Sequence, residues 1–178
     1  NLSKIDASPV ANGFTGEVAS MAMYGRGLTP AEVAARHQRG EAAELDGEVA
    51  WWPLDQATGS SAPDISGSAL NASLVNMDNS DWVDDGDRRV LDFDGIDDHL
   101  SLGAVGSIPD IQDKDRFVIS LDFKATGVSR QQGLYSAGNN VIRIDGGNIV
   151  AQLRDVNNNT SLFRGSKTLV ADQWYELK

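Results

Sequence analysis

The chain has 178 residues, of which 15 are Lys or Arg and 26 are Asp or Glu, so its formal net charge is −11 at pH 7. Without a basic cluster, this charge argues against nucleic acid or an anionic membrane surface as a partner. The absence of Cys excludes disulfides, thiol nucleophiles and Cys-ligated zinc. No apolar run approaches the roughly 18 residues of a membrane span.

The acidic residues are mostly Asp, with 20 Asp against 6 Glu, and the chain also carries 18 Gly. Asp and Gly favour turns and loops, whereas Glu favours helix surfaces. A hydrophobic fraction of 40% is enough for a core. The composition therefore predicts a turn-rich β protein.

The first clear element is a strand followed by a short helix. Residues 18–24 alternate with a period of two, which predicts a strand. Thr29 as N-cap, Pro30 at the first helical position and Glu32 three residues after the cap form a capping box. With Gly40 as the stop signal, the pattern predicts one helix over residues 30–39.

Residues 41–47 are polar and are predicted to form a linker, after which the pattern is β to the end. Short strands separated by turn residues predict an all-β, antiparallel β-sandwich or jelly roll. The candidate strands are residues 49–52, 73–77, 89–93, 99–102, 117–124, 133–137, 141–145, 149–153, 161–164 and 174–177.

Several motifs resemble those of one domain family. They are WWPLD at 51–55, PDISG at 63–67, LDFDGIDD at 91–98 and DQW at 172–174. Together they resemble bacterial laminin-G-like domains, which belong to the concanavalin A-like lectin/glucanase jelly rolls. The resemblance implies that residues 48–178 form the N-terminal two-thirds of such a domain.

Residues 1–40 resemble the end of the same domain type. The stretch GFTGE at 13–17 and the helix after it are similar to the closing strand and terminal helix of the family. Two arrangements remain open: parts of two tandem repeats, or one permuted domain that residues 1–40 complete. The chain begins at Asn1 without a Met and ends at Lys178 within an apparent strand, which indicates a fragment or a processed piece.

An Asp-rich stretch makes calcium the expected cofactor. Nine Asp fall within residues 78–98, and Ca²⁺ prefers hard oxygen ligands from carboxylates and carbonyls. The predicted metal ligands are Asp64, Asp97 and Asp98, because they lie in motifs that resemble those of the family. The alternative is that these carboxylates cap backbone amides in solvated turns.

The predicted ligand contacts are Trp82, Asp84 and Asp85, which lie together in a polar loop. Aromatic faces pack on the C–H faces of sugars, and carboxylates bind hydroxyl groups. The alternative for Trp82 is a loop anchor.

No catalytic residue is predicted, since neither a Gly-x-Ser-x-Gly motif nor a Ser-His-Asp triad is evident. Glu44, Asp46 and Glu48 have the spacing of a retaining glycosidase strand, but they fall in or beside the predicted linker.

The resemblance implies a non-catalytic carbohydrate-binding or adhesion module of a larger secreted or cell-surface protein. Its partners would be a glycan or polysaccharide and neighbouring repeats or domains of the same protein. A glycoside hydrolase or polysaccharide lyase of the same fold class, and a ligand-free structural repeat, are the alternatives.

Overall fold

A computed structural model describes residues 2–5, 13–39, 47–104, 117–138, 140–154, 157 and 159–178. The one α-helix in these residues is α1 (Pro30–Arg39). The strands are β1 (Leu2–Ile5), β2 (Thr15–Tyr24), β3 (Glu48–Trp52), β4 (Ser61–Ala62), β5 (Ala72–Val75), β6 (Trp82–Asp84), β7 (Arg89–Asp94), β8 (His99–Ala104), β9 (Val118–Ala125), β10 (Gln132–Ala137), β11 (Asn140–Asp145), β12 (Asn148–Arg154), β13 (Thr160–Arg164) and β14 (Trp174–Leu177).

Within the described residues, these strands form two antiparallel sheets. The first sheet has the order β13-β12-β11-β10-β1-β8-β5-β4, and the second has the order β14-β9-β2-β7-β6 with β3 paired to β2. The all-β sandwich with one short helix is therefore confirmed. The jelly-roll connectivity and the concanavalin A-like family stay predictions.

The core lies between the sheets and draws its side chains from both. Phe14 packs edge-to-face on Phe93 and Phe123, with ring centroids 5.9 and 6.2 Å away. Trp52 is fully buried, and its indole N–H donates to the Leu70 carbonyl at 2.8 Å. Leu134 and Ile144 add buried side chains from the first sheet. Alternation along the strands places other side chains on the outer faces, although five consecutive residues of β10 are buried.

The N-terminal segment is built into both sheets. The strand β1 pairs with β10 and β8 in the first sheet, and β2 pairs with β9, β7 and β3 in the second. Residues 2–5 and 15–24 thus pack with strands from beyond residue 48 in the same molecule. The assignment of 1–40 and 48–178 as pieces of laminin-G-like domains stays a prediction. Except for Gly47, the predicted linker 41–47 lies outside the described residues.

The helix α1 begins with the predicted capping box. The Thr29 amide donates to Glu32 Oε2 at 2.7 Å, and the Glu32 amide donates to Thr29 Oγ1 at 3.3 Å. Arg26 pairs with Glu32 at 2.5 Å. The Arg26 guanidinium, followed by the amide and then the hydroxyl of Thr29, lowers the pKa of Glu32 to about 2. These contacts fix the turn between β2 and the helix.

Close backbone packing at Gly16 leads to the first prediction. Gly16 has φ +137°, and a Cβ there would collide with the Lys124 carbonyl oxygen and lie 2.9 Å from Ala125 Cα. We expect Gly16→Ala to lower the free energy of unfolding by about 3 kcal/mol or more, because strain and a backbone clash act together.

The matched control is Gly67→Ala. Gly67 also has a positive φ, +92°, but a Cβ there would meet nothing within 4 Å, so only the dihedral cost of about 1 kcal/mol applies. Urea denaturation of both variants measures the difference, and equal losses would contradict the role given to the β2–β9 contact.

Candidate functional site on the outer face of the second sheet

A row of polar side chains crosses the outer face of the second sheet. Strand pairing aligns Trp174 with Lys124, Lys124 with Glu17, and Glu17 with Asp92. Alternation requires this placement, because the residues next to them in each strand point into the core. We call Trp174, Lys124, Glu17 and Asp92 the cross-strand row.

Lys124 is the centre of this row. Its Nζ lies 2.9 Å from Glu17 Oε2 and 2.6 Å from Asp85 Oδ1. Burial lowers the pKa of Lys124, but hydrogen bonds and the charges of Asp85 and Glu17 raise it above its usual value overall. The ammonium therefore stays charged and holds two carboxylates in place.

Trp174 is held at the end of the row by the same carboxylate. Its indole N–H donates to Asp85 Oδ2 at 2.8 Å. The Arg88 guanidinium carbon lies 4.3 Å from the ring centroid, and an Arg88 nitrogen lies 3.9 Å from Asp122 Oδ2. The ring is half-buried, and it is fixed by its N–H and by two cations, because Lys124 Nζ also lies 5.3 Å from the ring centroid.

Asp92 ends the row in a different electrostatic environment. Burial, followed by the charge of neighbouring Glu17, raises the pKa of Asp92. The side chain is half-buried. The row thus runs from an aromatic ring, through a charged Lys–carboxylate pair, to a carboxyl group with increased proton affinity.

An acidic loop continues the same face beyond the end of β7. Asp94 lies on the same side of β7 as Asp92, two residues further on, and opposite Thr15. Carboxylate oxygens of Asp94, Asp97 and Asp98 all lie within 4.8 Å of one another. We call these three residues the acidic group.

The backbone of this loop is fixed by the acidic group itself. Asp98 Oδ2 accepts from the Asp94 amide at 2.9 Å, and Asp94 Oδ1 accepts from the Ile96 amide at 2.7 Å. Gly95 between them has φ +78°. The bonds hold the carboxyl groups of Asp94 and Asp98 close together.

The environment of Asp98 disfavours the ionised form of its carboxyl group. Its side chain is buried. Burial first, and then the charges of Asp94, Asp81 and Asp97, raise the pKa of Asp98 to about 6, against a lowering by the Asp94 amide. Two of its neighbours in the group are exposed, so the cluster is open to solvent on one side.

This donor set suits calcium. Ca²⁺ takes oxygen ligands from carboxylates, carbonyls and water in flexible geometry. The three carboxylates are close enough to face one ion, and their mutual repulsion would be relieved by a cation. The observation that fits calcium is therefore the position of Asp98, a buried carboxyl group with a raised pKa, beside the exposed carboxyl groups of Asp94 and Asp97.

The structure brings two of the predicted metal ligands together and places the third elsewhere. Asp97 and Asp98 belong to the acidic group, whereas Asp64 is not a member of it. Asp64 accepts from the amides of Trp51, Ser66 and Leu70, each at 2.9 Å.

These bonds explain the titration of Asp64. Burial raises its pKa, but the backbone amides lower it below its usual value overall. The carboxylate thereby ties β3 to the loop after β4. Asp64 as a metal ligand stays a prediction, and its described contacts are those of a backbone cap.

The three predicted ligand contacts, Trp82, Asp84 and Asp85, lie in different environments. Trp82 is 3% exposed and donates its indole N–H to the Gly59 carbonyl at 3.0 Å, so its ring is part of the core. Asp84 is exposed and accepts from the Gly86 amide at 2.9 Å. Of the three, Asp85 contacts the cross-strand row, through Lys124 and Trp174. Their role in ligand binding stays a prediction.

Sequence reasoning did not select Asp94, Glu17 or Lys124 as site residues. A partial signal exists in the alternation of residues 117–124, which places Lys124 on the outer face. The alignment of four strands into one row depends on pairing between distant segments, which no local pattern shows.

Comparisons with protein-family models, curated proteins and solved structures found no match. In the part of the chain that the structure describes, no helix has the length and apolar character of a membrane span.

Because the pKa of Asp98 is raised, we expect the effect of Asp98→Asn on the free energy of unfolding to depend on pH. A carboxyl group whose pKa is raised by folding stabilises the protein while it is protonated, and this stability is lost as pH rises through about 6. In the presence of a chelator at pH 7.5, we expect Asp98→Asn to raise the free energy of unfolding by roughly 1 kcal/mol.

The increase should disappear near pH 4, where wild-type Asp98 is itself neutral. Asp87→Asn is the matched control, because it makes the same charge change at an exposed residue outside the acidic group. Urea denaturation at both pH values measures the effect, and a benefit independent of pH would contradict it.

Proposed function

We propose that this chain is a non-catalytic carbohydrate-binding or adhesion module of a larger secreted or cell-surface protein. It recognises a glycan on the outer face of the second sheet with the assistance of calcium at the acidic group. The proposal takes its fold family from the resemblance in the sequence and its site from the geometry of that face.

The acidic group carries the calcium part of the proposal. Three carboxylates with oxygens within 4.8 Å of one another form a hard donor set, and one of them is buried. Bound calcium would supply a positive charge that attracts ligand hydroxyls. Asp94, Asp97 and Asp98 would hold the ion.

The cross-strand row supports the glycan part. Trp174 offers a half-buried ring at one end. Asp122 lies two residues before Lys124 on the same face of β9, and Asp92 offers an oxygen acceptor at the other end of the row. Sugar-binding sites combine such an apolar platform with a few fixed polar groups. Trp174 replaces Trp82 as the proposed platform, because the Trp82 ring is buried in the core.

The glycoside hydrolase alternative has one specific observation behind it. Glu17 and Asp92 lie directly opposite each other on β2 and β7, and retaining glycosidases use two carboxyl groups about 5–5.5 Å apart. Release of reducing ends from a polysaccharide that is lost in Glu17→Gln would favour this alternative over simple binding.

Calcium binding is tested by thermal unfolding. A ligand that binds only the folded state raises Tm in proportion to the logarithm of its concentration above Kd. We expect millimolar CaCl₂ to raise Tm by several degrees. Asp97→Asn and Asp94→Asn should remove most of the shift.

Asp87→Asn again serves as the control and should retain the full calcium response. Because it changes the net charge equally, it separates a specific site from general screening of a chain with charge −11. A Tm that is unchanged by calcium, or that shifts equally in all variants, would refute the site.

Glycan recognition is tested on an array of natural oligosaccharides probed with and without calcium. We expect binding that a chelator weakens, and that Trp174→Ala weakens by about tenfold or more, because the platform is lost. Trp174→Phe keeps an aromatic ring but not the N–H bond to Asp85, so it should retain part of the affinity. No binding to any glycan would favour a ligand-free structural repeat.

A further inference from the structure

The strand β13 is the most exposed edge that the described residues present. Among the described strands, it ends the first sheet and pairs only with β12. All five of its residues are exposed, and the side chains of Leu162 and Phe163 are 60% and 58% accessible. A strand edge of this kind offers unpaired backbone groups to another chain.

Apart from the charged side chain of Arg164 at its end, β13 lacks most of the features that usually protect an edge strand. Its pairing with β12 is regular from Thr160 to Arg164, without a bulge. It contains no Pro, Gly or Lys. Leu162 lies on one face of the strand and Phe163 on the other, so a strand added beside β13 would cover both.

The hydrogen bonds between β12 and β13 determine which backbone groups of β13 face the open edge. The Gly165 amide donates to the Ile149 carbonyl at 2.8 Å, in register with the β12–β13 pairs. Hydrogen-bonded and non-hydrogen-bonded pairs alternate in an antiparallel ladder. The N–H and C=O groups of Thr160, Leu162 and Arg164 therefore point away from β12.

This edge is complementary to itself. If two copies pair antiparallel about Leu162, the Leu162 backbones form a hydrogen-bonded pair, and Thr160 of each copy lies opposite Arg164 of the other. Phe163 then lies beside the small Ser161 of the second copy. A two-fold contact of this kind uses the one edge in each copy and closes as a dimer.

Charge placement also favours a second copy at this edge. The chain carries −11, so two copies repel each other unless their acidic parts stay apart. The acidic group precedes β8, which is five strand positions from β13, or about 24 Å at strand spacing. The charged residue within β13 is Arg164, which pairs with Asp145 at 3.7 Å.

We propose that a second copy of this chain docks on β13, so that the two first sheets join into one continuous antiparallel sheet. A five-residue strand pair covers less surface than the roughly 1,200–2,000 Å² of a standard stable interface. The dimer is therefore weak and depends on concentration, and salt strengthens it by screening the repulsion between the two acidic chains.

Sedimentation velocity of the 178-residue chain between ~10 μM and ~1 mM tests the proposal. The expected result is a monomer–dimer equilibrium that shifts toward dimer when salt is raised. Leu162→Lys should weaken association by about tenfold or more. Ile65→Lys is the matched control, because it removes an apolar residue that is 49% exposed elsewhere, and it should associate as wild type does.

Leu162→Pro tests the backbone pairing itself. It removes an N–H that points to the open edge and leaves the hydrogen bonds to β12 intact, so the variant should keep the wild-type Tm and remain monomeric. If that variant does not fold, Leu162→Lys decides alone. A wild-type monomer at every concentration, association unaffected at Leu162, or assemblies larger than a dimer would each overturn the proposal.

Discussion

The close approach of β2 to β9 is the contact on which the second sheet depends. The two strands pair from Gly16 to Tyr24, and β2 also pairs with β7 and β3. The approach at one end is possible because Gly16 has no side chain to meet the Lys124 backbone. Since β9 in turn carries β14, removal of β2 would separate the edge strands from the rest of the sheet.

The same pairing creates the electrostatics of the outer face. It places Glu17 beside both Lys124 and Asp92. The hydrogen bond from Lys124 lowers the pKa of Asp85, whereas burial and the charge of Glu17 raise the pKa of Asp92. The register of β2 against β9 and β7 thus determines which carboxylates of this acidic face lie beside the Lys124 ammonium and which do not. The acidic group is the extreme case, because hydrogen bonds within a tight loop hold its members together against their repulsion.

The fold could be predicted from the sequence further than the site could. The ten predicted strands after residue 48 are all present within two residues of their expected limits, because alternation and turn residues are local signals. The strands β1, β4 and β6 were not predicted, and the two and three residues of β4 and β6 are too few to show a period. The capping box predicted α1 correctly because it too is local.

The site depends on information that is not local. Asp97 and Asp98 were identified in the sequence because Asp is concentrated there, but the contribution of Asp94 follows from the fold of the loop. Trp82 and Trp174 are both Trp residues in polar surroundings in the sequence, and only the packing shows that Trp82 is buried and Trp174 is half-buried. Asp64 lies in a motif as suggestive as that of Asp98, yet three backbone amides occupy its oxygens.

The proposed dimer at the β13 edge affects how the outer faces of the two second sheets are oriented. A two-fold axis between antiparallel edge strands is perpendicular to the joined sheet, so the second sheets of both copies lie on the same side. Their outer faces, with the cross-strand rows and acidic groups, would then point in the same direction. The two acidic groups would be separated by about eleven strand positions, or roughly 50 Å. Two sites with this orientation can bind one extended or surface-attached glycan simultaneously, and weak individual binding then becomes strong through effective concentration. A weak dimer and a weak glycan site are therefore compatible with firm adhesion to a dense glycan surface.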